Sequence, residues 1–210
     1  MSLVARQFAR PRGLLGRFIG RGMARGNADF NRWCIREISQ RCQNGVSRIV
    51  ELGPGPGIGL QETLRAYPGA AVWGVDLSAE MLSQSRRRNL GEVRSRRLNL
   101  IEGDARSLLE LAPIDLVMAT HVLYFWHRPA LELALIHDAL RPGGFLALGY
   151  QLKSNMPRLA QRNFPKDGHL LYDSDDEVSA LIDGVGFKSV EFVVKGPSEA
   201  PEGRLALART

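Results

Sequence analysis

The chain holds 210 residues, 44% hydrophobic and 24% charged, which suits one soluble globular unit able to bury a core. No run approaches the roughly 20 apolar residues that a bilayer span requires, and no apolar stretch near Met1 has the form of a secretory signal. Cys34 and Cys42 lie eight apart and form no Cys-x-x-Cys pair, so a reduced, cytoplasmic setting is expected.

The net charge of +6 is unevenly placed. Residues 1 to 28 carry Arg6, Arg10, Arg12, Arg17, Arg21 and Arg25 and no acid, and without these six the chain has as many acidic as basic residues. Such an arm suits a solvated helix face, an anionic membrane surface, nucleic acid or an acidic substrate, and its composition also resembles a mitochondrial transit peptide. The pattern predicts an amphipathic helix over Asn27–Gln43 after a looser segment at Gly13–Gly26. Residues 1–45 are thus read as a basic helical arm or cap and 46–210 as the main domain.

From Val46 onward, short β-branched runs alternate with helical patterns, as in βα units around a mostly parallel sheet. The expected strands are Ser47–Leu52, Ala71–Val75, Arg97–Ile101, Ile114–Ala119 and Phe145–Gly149. Helices are expected at Gly59–Ala66, Ala79–Asn89 and Pro129–Leu140, with a short turn near Ala105–Glu110. Arg141-Pro-Gly-Gly144 is read as stopping the last helix. A polar, Pro-interrupted stretch then reaches Tyr172, followed by a helix capped by Ser174. Two final strands, Ser189–Val194 and Arg204–Ala208, joined by residues 196–203, should form an antiparallel hairpin. The fold class is α/β: a Rossmann-like, doubly wound sheet of seven strands, with an N-terminal helical cap.

The first strand runs into Glu51-Leu-Gly-Pro-Gly-Pro-Gly-Ile-Gly59 and then a helix, a tight turn where open α/β sheets bind ligands. A triphosphate loop would need Lys and Ser or Thr after the last glycine, where Leu60 and Gln61 stand. The dinucleotide spacing Gly-x-Gly-x-x-Gly fails in either register, since Ile58 and Leu60 occupy the third position. Pro54 and Pro56 also lack the N–H donors of a pyrophosphate cradle, so a nicotinamide cofactor is disfavoured.

Glu51-x-Gly-x-Gly-x-Gly resembles motif I of class I S-adenosylmethionine-dependent methyltransferases, in the small-molecule, ubiquinone-biosynthesis-like branch. Three further segments resemble that family in order and spacing: Val72-Trp-Gly-Val-Asp76, Asn99-Leu-Ile-Glu-Gly-Asp104-Ala105, and Asp115 to Trp126. Leu140–Gly144 looks like the family's turn before the fifth strand. The resemblance covers about Ser47 to Tyr150. It implies that Glu51, Gly53, Gly55, Gly57, Asp76, Leu77, Gly103, Asp104, Ala105 and Thr120 hold S-adenosylmethionine, with Asp76 on the ribose hydroxyls and Asp104 on the adenine amino group. Turn or capping aspartates are the structural alternatives for both. Asn27–Gln43 would suit the helix that many such enzymes lay over the cofactor.

Methyl transfer is an in-line displacement helped by alignment and exclusion of water. Tyr124, Phe125 and Trp126 stand where an aromatic wall is needed, and core packing is the rival reading. His121, at the end of the fourth strand, is the best-placed base, and Tyr124 is its expected catalytic companion. His121, Tyr124, Trp126, His169 and Tyr172 are the expected substrate contacts, while His127 and His137 are read as surface residues. No metal-ligand spacing or hydrolase elbow occurs, so no metal is expected. The resemblance thus implies transfer of a methyl group to a small-molecule acceptor. Two alternatives stand beside it: an RNA substrate held by the arginine arm, which the neutral body disfavours, and a non-catalytic cofactor-binding module. Lys153, Arg158, Arg162 and Lys166 hint at an anionic acceptor, though a solvated helix face is preferred. A homodimer is left open.

Overall fold

In the computed structural model, residues 13–42, 45–197 and 199–210 are described, with side chains from Asn27 onward. Arg6, Arg10 and Arg12 therefore lie outside the described residues, as do the side chains of Arg17, Arg21 and Arg25.

The helices are α1 (Gly13–Arg41), α2 (Ile58–Ala66), α3 (Ala79–Arg88), α4 (Leu90–Arg94), α5 (Pro129–Ala139), α6 (Arg158–Asn163) and α7 (Asp175–Asp183). The strands are β1 (Arg48–Leu52), β2 (Ala71–Asp76), β3 (Leu98–Glu102), β4 (Ile114–Thr120), β5 (Leu140–Tyr150), β6 (Ser189–Lys195) and β7 (Gly203–Arg209). They form one seven-stranded sheet in the order β3-β2-β1-β4-β5-β7-β6. The first five strands pair in parallel, and β7 runs antiparallel to both β5 and β6.

Position in the sheet follows from side-chain chemistry. Strands β1 and β4 are buried along nearly their whole length, which the apolar runs Ile49-Val50 and Leu116-Val-Met-Ala119 permit. A parallel sheet needs helices on both faces. On one face Phe30, Trp33, Cys34 and Ile38 of α1 pack with Leu60 and Leu64 of α2. On the other, Leu133 and Ile136 of α5 pack with Val178 and Ile182 of α7. The spacing of Phe30, Cys34 and Ile38 puts one apolar stripe of α1 on the sheet.

Chain order places the functional crevice. The connections from β1 run outward through β2 and β3, whereas β4 returns to the opposite side of β1, so the winding reverses between β1 and β4. The carboxyl ends of strands at such a switch point leave a gap for a ligand. At the opposite end of the sheet, Asp115 ties β1, β4 and β5 together. Its Oδ2 accepts from the N–H groups of Ser47 and Arg48, both at 2.8 Å, and its Oδ1 accepts from Arg141.

Two expectations require correction. Residues 13–26 belong to the same continuous helix as Asn27–Arg41, because the interspersed glycines lower helix propensity without breaking it. Strand β5 begins at Leu140, earlier than the expected Phe145, while Arg141-Pro-Gly-Gly144 follows the end of the helix as expected and bulges out of the ladder between the Leu140–Ile114 and Phe145–Leu116 pairs. Its backbone there finds partners from the chain end: Thr210 Oγ1 donates to the Arg141 carbonyl at 2.8 Å and Thr210 N–H to that of Gly144 at 3.1 Å. The Ser174 cap is as expected, its Oγ accepting from Glu177 N–H at 3.3 Å.

Candidate functional site

The turn after β1 is pinned from within. Gly53 sits at φ +66°, its N–H donates to Val75 O at 2.8 Å, and a Cβ there would lie 2.3 Å from Val122 Cγ1. Gly55, at φ +53°, donates its N–H to Asp76 Oδ2 at 3.0 Å and has open space where a Cβ would stand. Gly57 donates to Pro54 O at 3.0 Å, and the two prolines have no N–H. Every donor from Gly53 to Gly57 is therefore used or missing, so this stretch offers no anion cradle and suits a ligand without phosphate.

A cavity of about 450 Å³ opens at this turn, within the range of small-molecule sites. Glu51, Gly53, Gly55 and both prolines form its floor. Asp76, Leu77, Gly103, Asp104, Ala105 and Met81 form one end. Thr120, His121, Val122, Phe125, Trp126, His127, Glu132 and His169 also line the cavity, as do Asn27 and Asn31 of α1.

Glu51 is 3% exposed, and its Oε2 has no hydrogen-bond partner among the described residues. Burial, reinforced by nearby Asp76, pushes its carboxyl up to about 8. A buried carboxyl of this kind calls for a cation or a donor from a ligand.

Asp76 has both a structural and a cavity-facing position. Its Oδ1 accepts from Ser78 N–H at 2.8 Å and its Oδ2 from Gly55, while the residue lines the cavity. Leu77, 46% exposed, gives this end of the cavity an apolar wall with Met81 and Ala105. The Asp104 carboxyl is held below the usual range by the Arg106 guanidinium, which is mostly solvent-exposed.

His121 departs from ordinary backbone geometry. Its φ is +57°, a strained conformation for a non-glycine residue, held by its N–H donating to Gly149 O at 2.8 Å. The ring lies 4.5 Å from that of Phe30 on α1, and burial pushes the imidazole down to about 4. It is therefore neutral at physiological pH, and burial disfavours its protonated form.

Not every expected residue reaches the cavity. Tyr124 is buried, with its hydroxyl donating to Gln151 O at 3.3 Å and accepting from Gln151 N–H, and it does not line the site. The single turn Leu123–Phe125 sends Phe125 into the cavity and Tyr124 into the core. Tyr172 is likewise buried elsewhere, and Gly57 packs on Ser85 and Asn89. His127 is exposed, as read, and also lines the cavity mouth, and Asn27, Asn31 and Glu132 join from helices whose register alone gave no sign of it. Among the described residues no group of three His, Cys, Asp or Glu is arranged for a metal.

Residues 50–148 match the family described as "Methyltransferase domain". Trans-aconitate 2-methyltransferase of Azoarcus sp. strain BH72 is 36% identical over 145 residues, covering 69% of this chain and 51% of that protein. The chain thus spans about half the length of that relative. Among solved structures, the S-adenosylmethionine-dependent methyltransferase SibL, in its apo form, superposes with a TM-score of 0.71 at 18% identity over 94% of this chain and 59% of its own. Magnesium protoporphyrin IX methyltransferase of Synechocystis PCC 6803, with bound S-adenosylhomocysteine, gives a TM-score of 0.69 at 14% identity over 91% and 86%. At these identities the structures share the fold.

Proposed function

We propose, from the premise that this chain carries a class I S-adenosylmethionine-dependent methyltransferase domain, that it transfers a methyl group from S-adenosylmethionine to a small-molecule acceptor. The observation that supports this most is the single cavity running from the glycine turn to a wall of aromatic and histidine side chains.

The residues fit the donor. The unpartnered Glu51 carboxyl suits its ammonium group, Asp76 its ribose hydroxyls, and Leu77, Asp104 and Ala105 its adenine, while Gly53, Gly55, Gly103 and Thr120 allow the close approach. When bound, S-adenosylmethionine supplies a methyl group activated on sulfonium. The chain's own part is alignment and dryness: Phe125 and Trp126 face the space beside Thr120 and His121, and α1 covers it through Phe30, Asn27 and Asn31. Neutral His121 can accept a hydrogen bond from an acceptor hydroxyl or amine and orient it. Two buried free thiols, Cys34 and Cys42, agree with a reducing cytoplasm.

The reading is tested by incubating the protein with radiolabelled S-adenosylmethionine and a metabolite extract. Label in a small-molecule fraction is expected. Label confined to RNA, or no transfer at all, would reject the proposal.

A further inference from the structure

The cavity holds buried polar groups that have no partner among the described residues. His169 is only 4% exposed, yet neither ring nitrogen has a hydrogen-bond partner among the described residues. Its ring is fixed edge-on against Phe125 at 4.9 Å and Phe164 at 5.6 Å, and stacks on His127 at 6.4 Å. Glu132, in the first turn of α5, likewise has a buried Oε2 without a partner. Both residues line the cavity. Buried polar atoms are normally paired, so two such groups converging on one space point to a ligand that pairs them.

Charge narrows the ligand. None of the described residues lining the cavity is Lys or Arg. The cations Lys153, Arg158, Arg162 and Lys166 lie outside it, with Lys153 paired to Asp173 at 3.3 Å. A carboxylate brought beside Glu132 would meet a second carboxyl and, among the described lining residues, no Lys or Arg to pair with. A hydroxyl or amine would instead donate to Glu132 and exchange a hydrogen bond with His169, against flat walls provided by Phe125 and Trp126.

We infer that Glu132 and His169 are specificity-determining residues of an acceptor subsite for an uncharged, planar molecule bearing a hydroxyl or amine, and that polycarboxylates are rejected there. This rests on the donor–acceptor reading above. It also separates the chain from what the name of its trans-aconitate relative would suggest.

The test uses the full chain saturated with S-adenosylhomocysteine and three probes of one shape: naphthol, naphthylamine and naphthoate, titrated by tryptophan fluorescence. Calorimetry of S-adenosylhomocysteine alone serves as a separate readout of the donor site. Naphthol or naphthylamine should bind at least about tenfold more tightly than naphthoate. Glu132→Gln should erase most of that preference, and His169→Phe should weaken naphthol, both leaving S-adenosylhomocysteine affinity unchanged. Naphthoate binding as tightly as naphthol, a preference that survives Glu132→Gln, or no binding of any probe to the loaded protein would overturn the subsite. Failure of S-adenosylhomocysteine to bind would instead overturn the donor reading beneath it.

Discussion

Glu51 links burial to pH. An isolated carboxyl moved from about 4.5 to about 8 by burial is mostly protonated at neutral pH in the free protein, and a cationic ligand favours its ionised form. Affinity for S-adenosylmethionine should therefore rise from about pH 6 to pH 8.5, with proton uptake by buffer visible in calorimetry. Because the folded-state value is the raised one, this carboxyl stabilises the free protein relative to an ordinary one at low pH, and that contribution is lost as pH rises through 8. Glu51→Gln should flatten both dependences, and a pH-dependence that persists unchanged in the variant would show that Glu51 is not its source. His121 makes a different prediction: already neutral, it should leave no step near pH 6.5 in kcat, and a loss of rate titrating there would contradict its buried state. The cavity-lining residues legible in the sequence, Glu51, Gly53, Gly55, Asp76 and Asp104, are those whose type and spacing are dictated by one strand-to-helix turn after another. Tyr124 and Phe125 were not separable, since one residue of rotation in a tight turn decides which ring meets the cavity and which the core.

The elements carry the site through a few anchors. Asp115 joins three strands at the end of the sheet remote from the cavity, and Asp115→Ala leaves two N–H groups and the Arg141 guanidinium without their acceptor. A loss of about 3 kcal/mol in unfolding free energy is expected by urea titration, with little change in ligand affinity once folded. Helix α1 docks through Phe30, whose ring occupies the notches left by Gly149 and Gly203, where added Cβ atoms would lie 3.3 Å and 2.3 Å away. Phe30→Ala should cost about 3 kcal/mol and also loosen His121, which the ring packs against, so kcat should fall along with stability. Unaltered kcat in a folded Phe30→Ala protein would argue that α1 merely covers the sheet. Strand alternation was readable because β-branched runs and turn residues punctuate it. The early start of β5 was not, because Pro142 and two glycines read locally as a stop, and the Leu140–Ile114 pair lies ahead of them.

Across the whole molecule, strand order does what no single motif could. The winding reversal between β1 and β4 gathers the glycine turn, the ends of β2 and β3, and the His121 segment around one gap. Their convergence was foreseeable from the βα alternation. The contributions of Glu132, Asn27 and Asn31 were not, since they come from helices that reach the cavity only through tertiary packing. The central claim is that this gap is the methyl donor's site. Titrating S-adenosylhomocysteine into the wild-type chain and into Asp76→Asn in a calorimeter tests it most directly. One site per chain in the wild type, weakened at least about tenfold in a variant that still melts cooperatively, is the predicted result, whereas no binding to the wild type or equal affinity in both would contradict it.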